Sequence, residues 1–591
     1  MSGLGRSPST PTPSPSTPLA CASPPRTSTP ASARALVWTR RRSAPTTPSA
    51  SGRSPGSLAE VGAAAAATLR ALHITRRAAL GGAVGAAGAL LDAALRARAA
   101  PAWVSAEAQR PLALWGVMTG EVTAQSAVVW SRADRPATLR VRWSTDPDLR
   151  ATAPAAEGQA LPERDLTARV RLTGLPPGRR VFYMAHFESL LHPGARSAPL
   201  FGELTTAPLD ALAPVRFAWS GDSFGQGYGI NPQAGGVRLY EAARLAAPDL
   251  FIHCGDRIYA DQPLKEMRGA GEGRRWHNLL TPEVSRVAET LDDFRGYYRY
   301  TLLDEPTRRL YQVCPQVFLW DDHEVKNDWF PGRVLRDRRY TERAVDVLAA
   351  RSRQAFFEYS PLPMSWLRRP RLYRRLPYGP LLEIFALDGR SYRGPNDREA
   401  QVAEGPAGAC AMWGEEQLRW LIEGLCASRA RWKVVACAQP LALAISTRDG
   451  GVDGVSSGSA GVTGRERELL ELLRALRARQ VRGVVWVNAD VHYAAAHHFH
   501  PDRGAVGPFE PFWEFVAGPI NAATLGPKRL DPTFGPRVEF ISVTDRLKEG
   551  LSPLDEQQFY GMGEVNPDTQ ALTITLHDLT GKTIYRHTLP P

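Results

Sequence analysis

Five apolar runs in this chain stop abruptly at an aspartate or at a short acidic and histidine cluster. Residues 215–220 lead into Gly221-Asp222, and residues 250–254 into Gly255-Asp256. Residues 317–320 lead into Asp321-Asp322-His323-Glu324, 382–387 into Asp388, and 484–488 into Ala489-Asp490-Val491-His492. Uninterrupted apolar strands of this length fit sheets buried on both faces, with the helical stretches between them as the covering layer. In such folds the groups at the carboxyl ends of the strands converge on one rim. A single aspartate after a strand is usually a turn or a helix cap. Five in one region are harder to explain that way, because clustered carboxylates repel one another unless cations sit among them. Oxygen ligands with one or two imidazoles suit Ca, Mn, Mg or Fe, and thiolates are too scarce for structural zinc.

A chain of 591 residues should hold several folding units. Residues 112–207 read as short alternating strands at 112–118, 126–130, 139–143, 167–172 and 181–187, with a turn at Gly174-Leu175-Pro176-Pro177-Gly178. This spacing predicts a seven-stranded, fibronectin- or Ig-like β-sandwich over 112–210, followed by an α/β domain over 211–591. A C-terminal hairpin, 572–576 and 583–588 turning through Gly581, is expected to close a sheet edge.

The net charge of +12 suggests nucleic acid until the charges are located. Residues 1–110 carry 13 Lys/Arg against 3 Asp/Glu, and the rest 59 against 57, so the body is nearly neutral and no stable nucleic-acid partner is expected. Residues 1–73 are rich in Ser, Thr, Pro, Ala and Arg, a mix that predicts a disordered leader. Arg76-Arg77, the weakly apolar run 81–95 and Ala97-Arg98-Ala99 resemble a twin-arginine export signal over 74–99, with a linker over 100–111. The expectation is export by the twin-arginine machinery to a periplasmic or extracellular location, with no transmembrane anchor after processing. Six cysteines without a Cys-x-x-Cys pair give no disulfide framework, although one bridge among Cys410, Cys426 and Cys437 stays open.

The ordered motifs resemble a known family. Phe217-Ala218-Trp219-Ser220-Gly221-Asp222, Gly255-Asp256-Arg257-Ile258-Tyr259-Ala260-Asp261, Trp320-Asp321-Asp322-His323-Glu324-Val325, Asp388-Gly389-Arg390-Ser391-Tyr392-Arg393, Asp490-Val491-His492 and Phe512 to Pro519 are similar to those of alkaline phosphatase D, the PhoD-like phosphatases. These belong to the calcineurin-like metallophosphoesterases. The resemblance implies a metallophosphoesterase β-sandwich core flanked by helices, holding divalent or trivalent ions, Ca and Fe first, with Mn, Mg or Zn as alternatives. It implies that Asp256 bridges two ions and that Asp222 and Tyr259 complete an iron site. Asp322, Asp490 and His492 would serve the second ion, with Asp388 a further ligand or an orienter. His323 would be the general acid and Arg390 the residue that holds substrate phosphate. Asn327 and Asn521 are candidate substrate contacts, or residues that satisfy loop backbone.

The expected activity is hydrolysis of phosphate mono- or diesters by metal-activated hydroxide. A phospholipase D-type enzyme or nuclease on the same metals, or a catalytically dead binding protein, are the alternatives. The chain departs from the family pattern in three respects. Ser220 stands where several members carry a cysteine, Ala489 replaces a glycine and so requires negative φ there, and His497, His498 and His500 lack ligand spacing. Cys254, Trp320 and Trp486 read as core, residues 225–229 as a flexible rim, and Arg465 to Arg482 as the charged outer face of a helix.

Overall fold

The computed structural model describes residues 106–363, 371–402, 410–543 and 549–591. The expected leader and export signal lie outside them. Among the described residues no helix is long and apolar enough to cross a membrane.

Two mixed sheets form the body. The first runs Thr583–Leu589, Leu572–Asp578, Phe559–Val565, Val215–Ser220, Leu250–Cys254, Gln316–Leu319, Val117–Gly120, Ser126–Arg132, Thr167–Thr173. The second runs Arg374–Tyr378, Leu382–Ala386, Trp432–Ala436, Val484–Asn488, Phe512–Val516, Ala495–Phe499, Pro536–Ile541. Their central strands are parallel, so several carboxyl ends open on the same side.

Alternate side chains on these strands serve different layers. Phe217, Trp219, Ile252 and Leu319 share an apolar cluster with Ile384, Val434, Val487 and Phe515 of the second sheet. On its opposite face the first sheet buries Ala218, Phe251 and Phe318 against the helices Arg238–Leu245, Leu291–Thr301, Glu305–Val313 and Val345–Glu358 through Tyr240, Phe294, Tyr311 and Phe356. The second sheet buries Phe385, Val435 and Trp486 against Gly414–Ala427 and Glu466–Ala478 through Leu421, Leu469 and Leu473. Each sheet is thus covered by helices on one face and by the other sheet on its second face. An apolar run reads the same in either arrangement, and periodicity does not say which partner covers it.

The N-terminal strands join the body at the edge of its first sheet. Val117–Gly120, Ser126–Arg132 and Thr167–Thr173 extend the first sheet, with Gly120 paired parallel to Gln316. A four-stranded sheet, Ala156–Ala160, Ala137–Ser144, Arg180–Ser189 and Leu200–Thr205, packs into the same apolar cluster through Leu139, Val141 and Tyr183. Trp130 Nε1 donates to the Glu358 carbonyl at 2.7 Å, tying this region to a helix of the body. The expected linker is also anchored where described, since Arg135 Nη1 donates to the Ala108 carbonyl at 2.6 Å. The C-terminal hairpin occupies the edge of the first sheet. It reaches the body through Phe559–Val565, where a Cβ on Gly561 or Gly563 would collide with the rings of Trp219 and Phe217.

Cys254, Cys314, Cys410, Cys426 and Cys437 are all free, so the bridge left open by the sequence does not form. Cys254 is core, as read.

Candidate metal centre

The strand ends deliver their side chains through strained backbone. Asp222, Asp256, Asp490 and His492 all have φ between +54° and +67°. This left-handed region is costly for side chains other than glycine and tends to persist where a site requires it. Ala489 keeps out of that region, as its substitution for glycine requires, and the positive φ falls on its neighbour.

Three buried carboxylate oxygens at these strand ends, Asp222 Oδ2, Asp321 Oδ2 and Asp388 Oδ2, have no hydrogen-bond partner among the described residues. Around them, Asp256 Oδ1 accepts the His323 N–H at 3.1 Å. One oxygen each of Asp256 and Asp322 and one ring nitrogen of His323 lie within 4.8 Å of one another. Burial, and then repulsion among Asp222, Asp256, Asp321, Asp322 and Asp490, pushes the carboxyls of Asp222, Asp256 and Asp490 well above the usual carboxylate range. Burial pushes Asp321 up to about 6, even with Arg390 beside it. Cations would relieve this repulsion and fill the vacant lone pairs, so the donors present fit hard metal ions.

His492 is set for ligation. Its Nδ1 lies 2.6 Å from the Ala523 carbonyl, which can only accept, so that nitrogen carries the proton and Nε2 keeps its lone pair. Nε2 faces the Tyr259 hydroxyl at 3.1 Å and Asp222 Oδ1 at 3.8 Å. Burial lowers the imidazole to about 4, which keeps it neutral at pH 7. The sequence expectation put His492 with the second ion. The structure places it beside Tyr259 and Asp222, the residues expected to hold the first.

His323 stacks on Tyr259 with centroids 4.1 Å apart, and its Nδ1 meets Asp261 Oδ1 at 2.7 Å. Burial alone would lower its pKa, but Asp261 and Asp322 outweigh that and push it up to about 9. Glu324 joins the loops, accepting the N–H groups of Asp256 at 3.0 Å, Arg257 at 2.6 Å and Asp321 at 2.7 Å.

Several expected roles change. Arg390 is fully buried and three of its five N–H donors are engaged, with Nη1 and Nη2 on Asp453 at 2.9 Å each and Nε on Asp321 Oδ1. The guanidinium therefore faces Asp453 and Asp321. Asp388 joins neither grouping of ligand atoms; its Oδ1 accepts from Trp320 Nε1 at 2.8 Å and from the N–H groups of Arg390 and Ser391 at 3.0 and 2.9 Å, while its buried Oδ2 has no partner among the described residues. It orients the Arg390 loop. Asn521 donates to the Tyr228 carbonyl at 2.9 Å and so satisfies loop backbone, one of its two expected roles. Asn327 is half-buried, its N–H bound to Asp261 Oδ2 at 3.1 Å.

The loop at 225–229 is packed, not a flexible rim. A Cβ on Gly225 would sit 2.6 Å from the Tyr259 ring, and Gln226 accepts the Ala523 N–H at 2.7 Å. Arg465 is buried and donates to the carbonyls of Val452, Asp453 and Gly394, so the charged outer face starts only beyond it. Ser220 Oγ turns away to the Phe559 carbonyl at 2.8 Å. His497 pairs with Glu514 at 2.8 Å, His498 stacks on Trp513 and His500 accepts from Asp502 N–H, so all three are structural. Asp321, Asp261, Asp328 and Asp453 were missed as contributors. The first two stand inside the quoted motifs, whereas Asp328 and Asp453 carry no motif signal.

The geometry can be set beside known proteins. The family model described as PhoD-like phosphatase matches residues 217–576, and that for the PhoD-like phosphatase N-terminal domain matches 97–208. Alkaline phosphatase D of Bacillus subtilis (strain 168) is 26% identical over 342 residues, covering 54% of this chain and 54% of that protein, so the match spans about half the length of the curated relative. A solved structure described as that of PhoD shares the fold, with a TM-score of 0.61 at 20% identity over 83% of this chain and 90% of that one. A purple acid phosphatase from yellow lupin (Lupinus luteus) superposes with a TM-score of 0.47 at 12% identity over 82% of this chain and 74% of that one.

Proposed function

The chain belongs to the PhoD-like phosphatase family, and from that membership we propose that it is a metal-dependent phosphoesterase that hydrolyses phosphate mono- or diesters. The observation that carries this reading is the convergence of Asp222, Asp256, Asp322, Asp490 and His492 on one rim, with buried carboxylate oxygens of Asp222, Asp321 and Asp388 left unpartnered. We place Asp222, Asp256, Tyr259 and His492 around one ion, iron by preference, and Asp256, Asp322 and Asp490 around a second, calcium by preference. Bound there, the cations would neutralise the carboxylates, lower the pKa of a water and polarise phosphoryl oxygens.

The remaining chemistry belongs to side chains. Asp261 holds Nδ1 of His323, which leaves Nε2 to give its proton to the departing alkoxide. Stacking on Tyr259 keeps that imidazole in plane with its task. Glu324 fixes the spacing between the Asp256 and Asp321 loops, so the donors are held before substrate arrives. Half-buried Asn327 is the residue we place against substrate. Export of the folded, metal-loaded protein through a signal at 74–99, with 112–210 as an N-terminal module, completes the proposal.

Side-by-side turnover of p-nitrophenyl phosphate, bis(p-nitrophenyl) phosphate, a phospholipid and a single-stranded nucleic acid tests it. Turnover of the simple esters supports the reading. Selective cleavage of lipid or nucleic acid would favour the phospholipase or nuclease alternative, and no turnover of any ester with metals bound would sink it.

A further inference from the structure

Asp453 lies on the loop that precedes the helix Glu466–Ala478, and both its carboxylate oxygens are saturated. Oδ1 accepts from Arg390 Nη1 at 2.9 Å, Arg393 Nη1 at 3.0 Å and Asn396 Nδ2 at 2.7 Å. Oδ2 accepts from Arg390 Nη2 at 2.9 Å and Gln439 Nε2 at 2.5 Å. One of its oxygens lies within 4.8 Å of ligand atoms of Asp322 and Asp328. Proximity alone would make it a third ligand, but five donors leave its lone pairs no room for a cation.

What those donors do next points to its role. Arg390 continues through Nε to Asp321 Oδ1, and its Nη2 lies 3.5 Å from Asp322 Oδ2. Behind it, Arg465 clamps the loop backbone through the carbonyls of Val452 and Asp453 at 2.9 and 3.0 Å. Asn396 bonds both Asp453 and the Asp328 carbonyl, at 2.7 and 2.9 Å. All these groups except Asp328 are buried. Arg390 and Arg393 share Asp453 as a common anion. Without it, two desolvated guanidiniums are left facing each other, and the nearest remaining anions are Asp321, Asp322 and Asp328. Arg390 would then compete with a metal ion for their oxygens.

We infer that Asp453 is a positioning residue that orients Arg390, and through it holds Asp321 and Asp322 in the arrangement that takes up the second cation. The Asp222, Tyr259 and His492 side does not depend on it. This rests on the metal-dependent reading above.

The test uses the full-length protein, stripped with a chelator and titrated with Mn2+ and with Ca2+, with bound ions counted by mass spectrometry and affinities read by calorimetry. Wild type should take up two ions per chain. Asp453→Asn should retain one ion at wild-type affinity and bind the other about 10- to 100-fold more weakly. Two ions bound at unchanged affinity in Asp453→Asn, even with a lowered melting temperature, would overturn the inference and leave the metal-dependent reading standing. Wild type that binds no ion would overturn both. Should Asp453→Asn fail to fold by circular dichroism, Gln439→Ala removes one donor to Asp453, together with the acceptor of Arg393 Nη2, and decides the matter: a threefold to tenfold loss at one site supports the inference, and unchanged binding at both overturns it.

Discussion

His492 turns its Nε2 to the Tyr259 hydroxyl at 3.1 Å while the Ala523 carbonyl holds the opposite nitrogen at 2.6 Å. The imidazole therefore presents a lone pair beside a phenol whose ionisation burial and the Asp256 and Asp222 carboxylates oppose. A bound ferric ion reverses that balance, since it favours the phenolate. The protein purified from an export-competent host should show a visible phenolate-to-iron absorption band. Tyr259→Phe should lose the band and keep its fold by circular dichroism.

The pair between Asp261 and His323 predicts a pH effect. Asp261 holds the imidazolium form, so the acid is protonated below its pKa and activity falls as pH rises through it. Removing Asp261 lowers that pKa, and the alkaline limb of kcat/KM in Asp261→Asn should move to lower pH. We expect kcat to fall about 100-fold or more with a smaller change in KM. A pH-rate profile of the two proteins checks the direction of the shift.

Gly518 approaches the first site closely enough to be a sensitive position. A Cβ there would stand 2.5 Å from Asp222 Oδ2, and that carboxylate would have to rotate away. Gly518→Ala should therefore lose metal affinity on the Asp222 side, read by metal content, with little change in melting temperature.

Asp165 carries a prediction about acid stability. It accepts Arg132 at 2.7 Å, Arg299 at 2.5 Å and the Tyr359 hydroxyl, which joins the N-terminal strands to the helices Leu291–Thr301 and Val345–Glu358. Burial would raise its pKa, but these partners outweigh it and hold the carboxyl below its usual value. The stabilisation is therefore present above the unfolded pKa of about 3.9 and is lost as pH falls through the folded value. Asp165→Asn, which also tolerates the φ of +50° at this position, should cost about 1–2 kcal/mol at pH 7. The difference in Tm between the two proteins should shrink below about pH 4.

Much of this architecture was legible in the sequence because strand ends are local. The runs at 215–220, 250–254 and 484–488 carry strand propensity and end at the residues that reach the rim, and the structure keeps them at those bounds. Strand Phe559–Val565 was not legible, since Gly561 and Gly563, required by the rings of Trp219 and Phe217, weaken the very pattern that marks a strand. Arg390 illustrates the larger limit. Its motif position was readable, but its occupation by Asp453, 63 residues away, depends on a loop fold that periodicity does not encode. Likewise the motif marked His492 as a candidate ligand, while its place between the Ala523 carbonyl and the Tyr259 hydroxyl was set at long range.

The central claim is that distant carboxylates share cations and that hydrolysis depends on them. The most direct test is hydrolysis of p-nitrophenyl phosphate and its bis ester by wild type before chelation, after chelation and after metal return, beside Asp256→Ala. Activity should vanish on chelation, return with the ions, and stay absent in Asp256→Ala in spite of a native circular dichroism spectrum. Undiminished turnover in the chelated enzyme, or in Asp256→Ala, would contradict it.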